Sequence, residues 1–511
     1  MKLLLRIPML KIQVTDKKIT DQKTSCYAFL ISEGAATPSD LKAFQKLFGI
    51  DIGQYLLKHE FTGKLLETFS LPVFLKNKMH HVIIVGLGKP GKDKKIDIEQ
   101  YRRAVAHLYK QVAAHKAASF ALTVPSARLF GVDVQDLGQQ TAIATEMAAY
   151  HFDEYITAKD RKAYVVKDLT LCVSSKEKTA LQRGVKDGDI IAQAVNKARR
   201  WINLPPVKLT PVELADKARA IAKKTGLKFT ALNEKQIIAK GMGGLAAVGA
   251  GSDQESTMVI LEYHTKKKNA PTIAFVGKGI TFDSGGLSLK PAKSMETMKE
   301  DMSGAAAVIT TMEALAQLKP DVNVIGVAPL AENLPSGKAT KPGDIITFYN
   351  GKTAEVKNTD AEGRLILADA LSYTAKQFKP DAMIDIATLT GACAYALGPF
   401  FTGLMSQDDE LVSELEDAAE RTGDRVWRLP LHDDYKLAVK SNVADLCNIG
   451  SPKYMAGTIT AAHFLKAFVG DTPWAHLDIA GTAFDVPDMP YFRTGATGTG
   501  VRLLIDLAMN W

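Results

Sequence analysis

The sequence predicts an α/β protein with a smaller N-terminal α/β domain and a larger C-terminal α/β domain that has a central mixed sheet. Three observations support this. The chain has 511 residues, enough for two or more domains of ordinary size. Short apolar, β-branched runs alternate with amphipathic helical patterns in both halves. One long helical pattern, residues 176–202, separates the halves and ends before Pro205 and Pro206. We therefore predict an N-terminal domain at 1–170, a connecting helix at 171–205 and a second domain at 206–511.

The N-terminal part contains strand patterns with helical patterns between them. The strands are predicted at 26–31, 80–88 and 120–125, and the helices at 98–115 and 137–151. This alternation favours a mostly parallel sheet. This part carries no convergent carboxylate or Cys/His cluster. Its expected role is assembly or regulation.

A glycine pattern in this part resembles a dinucleotide-binding motif. Gly86, Gly88 and Gly91 have the spacing GxGxxG after an apolar strand. A dinucleotide site also needs a helix that begins at once and an acidic residue about 20 positions later. Pro90 and a charged run follow instead, and 106–111 contains no acid. We expect an ordinary turn here.

The C-terminal part repeats the α/β alternation over a greater length. Strand patterns lie at 227–232, 258–264, 273–277, 322–330, 382–388 and 475–480. Several polar residues directly follow these strands. Open α/β sheets place their sites at the carboxyl ends of strands, so we expect the functional site in this domain.

Composition excludes several classes of protein. Hydrophobic residues make up 46% and charged residues 23%, which is typical of a globular chain. The four cysteines are far apart and form no CxxC, which predicts reduced thiols and a cytoplasmic location. Arg6 and Lys11 interrupt the apolar N-terminus, so we expect no secretory signal, and no long apolar stretch predicts a membrane span.

The first polar segment follows the strand pattern TIAFVG. Lys278 comes directly after it between two glycines, and Asp283 lies within a glycine-rich turn. From Ser294 the spacing becomes helical, which puts Asp301 near the middle of a predicted helix beside a run of small residues. A carboxylate with such neighbours needs a partner.

The second polar segment is NTDAEGRL. Asp360 and Glu362 lie in a loop before a helix predicted from 363 to about 378. Arg364 lies in the first turn of this helix, where unpaired N–H groups also favour a small anion.

Three Asp, one Glu and no His favour metal chemistry with oxygen ligands. Several carboxylates in one cleft repel each other unless cations neutralise them. Two divalent ions about 3.5 Å apart would do so and would activate a water. Such ligands suit Mn²⁺ or Mg²⁺. The chain has no HExxH motif, so a single-zinc helix site is not indicated.

These segments resemble the signature segments of the cytosol (leucyl) aminopeptidase family of two-metal, hexameric exopeptidases. The two signatures are VGKGITFDSGGLSLKP and NTDAEGRLILADAL, and the second is highly specific. The similarity extends over most of the C-terminal two thirds. It includes MGGLAAVGAGS, GVAPLAENLPSGKATKPGDI, DIATLTGAC and WAHLDIAGTAF. Small departures occur at 203–211 and at His463, neither of which is a metal position.

The resemblance implies a role for each polar residue. Asp283 and Glu362 would bridge two metals, Lys278 and Asp301 would complete one metal, and Asp360 the other. The ions would be Mn²⁺ or Zn²⁺, with Mg²⁺ as a further candidate. A lysine ligand must be neutral, so Lys278 would need a strongly lowered pKa. The alternative is that Lys278 only forms an ion pair with the acids.

Two further cationic residues would act on the substrate. Lys290 would polarise the scissile carbonyl and hold the oxyanion. Arg364 would hold a bicarbonate-like anion that takes a proton from the attacking water, as the family suggests, which would explain the absence of an obvious general base. The alternative for Arg364 is an ion pair with a ligand carboxylate.

The resemblance also implies a substrate site and an assembly. Met298 would line the pocket for the first side chain, and Thr388, Leu389 and Gly391 would bind substrate backbone. A thioether-lined apolar pocket suits Leu- or Met-like side chains at the N-terminus of a peptide. The expected assembly is a homohexamer with catalytic domains at its centre.

The alternative hypothesis is a DNA-binding architectural or regulatory protein on the same scaffold. The net charge of +8 is compatible with it. However, the sequence has no helix-turn-helix signature and no basic stripe with interleaved aromatic residues. The motifs therefore do not support a DNA partner.

Overall fold

The computed structural model describes residues 10–35, 39–75, 78–158, 160, 162–487 and 489–511. The chain divides into two units. The first unit comprises residues 1–196 and 488–493, and the second comprises 197–487 and 494–511. The domain limits at 170 and 205 stay a prediction.

The first unit contains a six-stranded sheet and its helices. Its strands are β1 Lys11–Thr15, β2 Cys26–Ser32, β3 Thr68–Leu75, β4 Lys78–Gly88, β5 Ser119–Thr123 and β6 Asp168–Cys172. Its helices are α1 Ser39–Phe48, α2 Ile52–Lys58, α3 Ile98–Ala114, α4 Val134–Ala149 and α5 Lys178–Asn203, the last of which continues into the second unit.

The strand order of this sheet is β1-β6-β5-β2-β4-β3. Only the β3–β4 pair is antiparallel, so the prediction of a mostly parallel sheet is confirmed. Every residue of β2 is buried, which explains its continuous apolar run. After Gly91 the next helix begins only at Ile98, behind the N-cap residue Asp97. The glycine motif therefore lacks the helix that a dinucleotide site requires.

The second unit contains the larger sheet. Its strands are β7 Lys228–Leu232, β8 Thr257–Tyr263, β9 Thr272–Gly277, β10 Gly279–Asp283, β11 Asn323–Asn333, β12 Ile345–Thr347, β13 Thr353–Glu355, β14 Ala382–Ala387, β15 Thr402–Ser406, β16 Val426–Arg428, β17 Leu446–Cys447 and β18 Trp474–Asp478. Its helices are α6 Pro211–Thr225, α7 Glu234–Ala239, α8 Gly243–Gly249, α9 Ala292–Met295, α10 Ser303–Leu318, α11 Gly363–Phe378, α12 Gly391–Leu397, α13 Asp409–Thr422, α14 Gly457–Lys466 and α15 Val501–Met509.

The larger sheet has the order β16-β15-β18-β14-β9-β11-β8-β7, with β10 beside β11. Its centre, β18-β14-β9-β11, is parallel, whereas β15–β18, β11–β8 and β8–β7 are antiparallel. The predicted mixed sheet is thus confirmed. Strands β12, β13 and β17 form a separate small sheet.

Two helices cover the parallel centre. Both α10 and α11 pack against β9, β11 and β14. Helix α10 also contacts α6 and α15, whereas α11 contacts α8 and α14, so the two helices lie on opposite faces. Strands β9 and β14 are parallel neighbours, and their carboxyl ends therefore lie together.

The predicted helix that runs from Ser294 through Asp301 is wrong. Helix α9 ends at Met295, a 3-10 turn spans Met298–Glu300, and α10 begins at Ser303, so Asp301 lies in the break. The physical reason is tertiary, because the Asp301 carbonyl accepts a hydrogen bond of 3.2 Å from the Ile280 amide of β10. Among the described residues, no helix has both the length and the apolar character needed to cross a membrane.

Candidate metal centre

Lys278 follows β9 and is a buried charged group of the site. Its Nζ lies 2.7 Å from Asp301 Oδ1 and 2.9 Å from Glu362 Oε1. It also donates a hydrogen bond of 2.8 Å to the carbonyl of Thr388, just after β14. The lysine is only 3% exposed. Three elements that are remote along the chain therefore converge on one ammonium group.

Lys290 likewise lies between two carboxylates. Its Nζ lies 2.9 Å from Asp283 Oδ2 and 2.6 Å from Asp360 Oδ1. The turn between Asp283 and Lys290 contains Gly285 at φ +87°, and a Cβ there would lie 2.8 Å from Asp360 Oδ1. The glycine therefore permits both a left-handed backbone and the close approach of this carboxylate.

Three of the acids form a compact cluster with free oxygen atoms. Asp283, Asp301 and Glu362 each offer an oxygen, and these atoms lie within 4.8 Å of one another. Asp301 Oδ2 and Glu362 Oε2 are buried and have no hydrogen-bond partner among the described residues. Unsatisfied buried carboxylate oxygens are costly, and a divalent cation would satisfy them. The residues therefore fit a metal site.

The cluster is short of positive charge. The four carboxylates of Asp283, Asp301, Asp360 and Glu362 face the two ammonium groups of Lys278 and Lys290, so the cluster has a net formal charge of −2 when all six groups are ionised. Burial raises the pKa of Asp301 well above its usual value, although Lys278 opposes the shift. Burial likewise raises the pKa of Asp283 and of Asp360, and repulsion by neighbouring carboxylates adds to both shifts.

In this structure Lys278 forms ion pairs with the acids, which is the alternative to its role as a metal ligand. Burial opposes its charge, but the carboxylates of Asp301 and Glu362 outweigh burial and raise its pKa. Ligation would require that bound cations displace this proton.

Arg364 lies in the first turn of α11, as predicted. It donates a hydrogen bond of 2.9 Å from Nη1 to the carbonyl of Asn448, and its buried Nε has no hydrogen-bond partner among the described residues. Burial lowers its pKa to about 10, against the opposing effects of Glu362 and Asp478. None of the described carboxylates forms an ion pair with Arg364, so its alternative reading is not observed here.

The remaining predicted residues surround the cluster. Thr388 Oγ1 donates a hydrogen bond of 2.8 Å to Asp301 Oδ1, so both its hydroxyl and its carbonyl face the acid–lysine cluster. The Leu389 amide donates to Asp478 Oδ1 at 3.2 Å, and Gly391 begins α12. Met298 is half-buried in the 3-10 turn, three residues before Asp301. In the described part of the chain, no hydrogen bond or ion pair joins Leu389, Gly391 or Met298 to the carboxylates of the cluster.

Sequence reasoning missed two buried asparagines that hold the site. The Asn448 side chain accepts a hydrogen bond of 2.8 Å from the Lys357 amide and donates one of 2.6 Å to the carbonyl of Asn358, which anchors the loop before Asp360. Asn333 contacts Asp283. The signal was weak, since Asn333 lies beyond the strand pattern predicted at 322–330 and Asn448 follows a strand of only two residues. Neither belongs to a charged motif.

The fold and this centre define a two-domain α/β protein with a buried carboxylate–lysine cluster suited to divalent cations. The family model for the catalytic domain of the cytosol aminopeptidase family matches residues 196–505, and the model for its N-terminal domain matches residues 28–159. The chain therefore belongs to the cytosol aminopeptidase family.

Individual relatives agree with this assignment. A protein named probable cytosol aminopeptidase from Geobacter sp. (strain M21) is 42% identical, over 89% of this chain and 91% of its own. One from Alkaliphilus oremlandii is 40% identical, over 98% and 99% respectively. The structure titled bottromycin maturation enzyme BotP in complex with Mn superposes with a TM-score of 0.83 at 32% identity, and the match covers 95% of this chain and 99% of BotP.

Family membership makes the protein an aminopeptidase, a hydrolase that acts on peptides. The family is metal-dependent, in agreement with the cation-deficient cluster. Nothing in the comparisons favours the DNA-binding hypothesis.

Proposed function

We propose that the protein removes N-terminal amino acids from peptides, with a preference for Leu- or Met-like residues, in a reaction that depends on two divalent ions. The observation that carries this proposal is the pairing of four carboxylates, three of them buried and that of Asp360 half-buried, with only two ammonium groups. Such a pocket is electrically balanced only when more positive charge enters it.

The residues that would hold the ions are the cluster itself. Asp283 and Glu362 would hold both ions, Lys278 and Asp301 would hold one of them, and Asp360 would hold the other. Mn²⁺ or Zn²⁺ would fit, and Mg²⁺ is a further candidate. BotP, by its title, binds Mn, which supports the choice. Divalent ions bound here supply Lewis-acid polarisation and an activated water.

Lys290 would act on the scissile carbonyl. In the structure its ammonium group neutralises Asp283 and Asp360, and the neighbouring carboxylates raise its pKa against the effect of burial. Once cations occupy those oxygens, the charged Nζ is free to hold the oxyanion that develops from the carbonyl.

Arg364 would bind a bicarbonate-like anion. It lies in the first turn of α11, where the helix also presents backbone N–H groups, and it forms no ion pair with a described carboxylate. Arg364 would hold and orient this anion, which would supply a proton-transfer group beside the scissile bond. This arrangement would replace a side-chain general base.

The substrate would extend along the loop after β14. Thr388, Leu389 and Gly391 would bind its backbone, and Met298 would line the pocket for its first side chain. In the structure the carbonyl and hydroxyl of Thr388 are engaged with Lys278 and Asp301, so Thr388 would act mainly through them. Leu389 and Gly391 would then supply most of the contacts.

We further propose that the protein is a cytoplasmic homohexamer, in which the region 1–170 serves assembly or regulation and 206–511 carries catalysis. Light scattering should then give about six times the chain mass of 55.4 kDa. A monomer mass would contradict this part of the proposal.

The function is tested by chelation and metal add-back. We expect hydrolysis of leucyl-p-nitroanilide to disappear after treatment with a chelator and to return with Mn²⁺, Zn²⁺, Mg²⁺ or Co²⁺. Glutamyl-p-nitroanilide serves as the matched substrate, and its kcat/KM should be lower. Equal rates on both substrates would contradict the side-chain preference. Full activity after chelation would contradict metal dependence.

A further inference from the structure

Asn333 is a buried asparagine next to the metal cluster that belongs to neither signature segment. It ends β11 and lies opposite Asp283, the last residue of β10, in the parallel register of these strands. Asn333 is only 5% exposed. A buried amide at this position must be satisfied by specific partners.

The first partner is the carboxylate of Asp283. Asn333 Nδ2 donates a hydrogen bond of 2.8 Å to Asp283 Oδ1, and the Gly285 amide donates one of 2.9 Å to the same oxygen. Oδ1 is thus occupied by two donors. Oδ2 is the oxygen that remains directed at Lys290, 2.9 Å away. The two donors therefore fix the plane of this carboxylate and determine which oxygen faces the cluster.

The second partner is the segment that carries Asp360 and Glu362. The same Nδ2 donates to the carbonyl of Thr359 at 3.1 Å. The Asn333 carbonyl also accepts hydrogen bonds from the amide and the hydroxyl of Ser284, at 3.0 and 2.7 Å. Asn333 therefore joins the two segments that are remote along the chain and supply most of the carboxylates.

The turn that contains Gly286 leaves space for the side-chain amide of Asn333. Gly286 has φ +64°, and a Cβ on it would lie 2.8 Å from Asn333 Oδ1. Only glycine leaves this space free without strain. The amide and the turn are therefore matched to each other.

We propose that Asn333 is a positioning residue for cation binding: it orients Asp283 Oδ2 and holds the 359–362 segment at the distance at which both carboxylate segments reach the same ions. The inference rests on the proposed two-ion function. Partners of this kind around a ligand typically contribute 10–100-fold to metal affinity.

The test compares Asn333→Ala with Asn323→Ala in the full-length protein. Asn323 begins the same strand, accepts a hydrogen bond of 3.1 Å from the Thr265 amide and donates one of 3.3 Å to the Ala270 carbonyl. Chelator-treated proteins are titrated with MnCl₂ by calorimetry, and Tm is measured without metal. We expect Asn333→Ala to raise the Kd for Mn²⁺ roughly 10–100-fold and Asn323→Ala to leave it within about threefold of the parent value.

A merely structural role would lower the metal-free Tm of both variants and leave the Kd of both unchanged, which would overturn the inference. Excess Mn²⁺ should restore most of the leucyl-p-nitroanilide hydrolysis in Asn333→Ala, because the residue acts through the ions. If Asn333→Ala does not fold, Asn333→Ser leaves a smaller cavity and carries the same expectation. A parent protein that binds no Mn²⁺ would overturn the proposed function as well, whereas normal binding by parent and variant would overturn this inference alone.

Discussion

Lys278 and Lys290 each pair with two carboxylates in this protein. Lys278 Nζ lies between Asp301 and Glu362, and Lys290 Nζ lies between Asp283 and Asp360. Each ammonium group therefore places one positive charge against two carboxylates, and it cannot neutralise both when they are ionised. This shortage is the physical basis of the proposed metal dependence.

Removal of one acid tests the ligand set. Glu362→Gln keeps the side-chain shape but removes a charge from the cluster. We expect kcat/KM on leucyl-p-nitroanilide to fall by more than about 100-fold, since partners outside the ligand shell alone contribute roughly 10–100-fold. Glu296→Gln, at an exposed residue before the 3-10 turn, is the control and should keep parent activity. Parent activity in Glu362→Gln would exclude this residue as a ligand.

Lys290 can be separated from metal binding. Lys290→Met retains the aliphatic stem and removes the ammonium group. If Lys290 holds the oxyanion, kcat should fall by about 10²–10³-fold. Calorimetry should show Mn²⁺ affinity that is unchanged or higher, because a competing cation is gone. The exposed Lys293→Met is the matched control. A loss of Mn²⁺ binding without a loss of kcat at saturating metal would refute this role.

At the level of single residues, charge was the signal that the sequence provided. A lysine between glycines after a buried strand, and acids in a loop before a helix, are unusual enough to single out. The structure brings Lys278, Lys290 and the four carboxylates together in ion pairs. Asn333 and Asn448 could not be found in this way, since their amides act through contacts that appear only in the folded chain.

Among the secondary-structure elements, α11 shows what periodicity can predict. The sequence predicts a helix from 363 to about 378, and the structure has Gly363–Phe378. The break at Asp301 could not be predicted, because it depends on a hydrogen bond between the Ile280 amide and the Asp301 carbonyl. Local spacing contains no information about such a partner.

Gly363, the first residue of α11, packs closely against the Lys278 side chain. A Cβ on Gly363 would lie 2.5 Å from Lys278 Cε. Because three acceptors hold the Lys278 ammonium, we expect Gly363→Ala to displace it and to cost about 1–3 kcal/mol in the free energy of unfolding. Mn²⁺ affinity should fall too. Gly337→Ala, where the methyl group meets open space, should change stability by less than about 1 kcal/mol in urea unfolding. Equal behaviour of the two variants would contradict the packing argument.

Helix α4 of the first unit carries a buried acid, Glu146. Burial and the neighbouring Asp189 raise the pKa of Glu146 from 4.5 to about 8, and its Oε1 has no hydrogen-bond partner in the described part of the chain. A pKa raised by folding contributes stability below pH 4.5 that is lost as pH rises through about 8.

Glu146→Gln should remove this pH dependence. Between pH 6 and 9 we expect the parent protein to lose roughly 1–3 kcal/mol more unfolding free energy than the variant, as measured by urea denaturation. The exposed Glu60→Gln should behave as the parent. Parallel pH profiles for the parent and Glu146→Gln would show that Glu146 does not titrate in this range.

For the whole molecule, the larger sheet explains where the site lies. Alternating strand and helix patterns predict an α/β class and a mixed C-terminal sheet, and both are confirmed. Strand order could not be deduced, since β14 pairs with β9 across more than one hundred residues of intervening chain. That pairing brings the Lys278 and Thr388 ends of two strands together, and the centre is built there.

The central claim is that this pocket binds two divalent ions. The most direct test is the metal content of the purified protein after equilibration with Mn²⁺, measured by elemental analysis alongside activity as each equivalent is added. We predict two ions per chain in the parent protein, a loss of at least one ion in Glu362→Gln, and full leucyl-p-nitroanilide hydrolysis only after the second equivalent. Full hydrolysis with no bound metal, or an identical metal content in the parent and Glu362→Gln, would contradict the account.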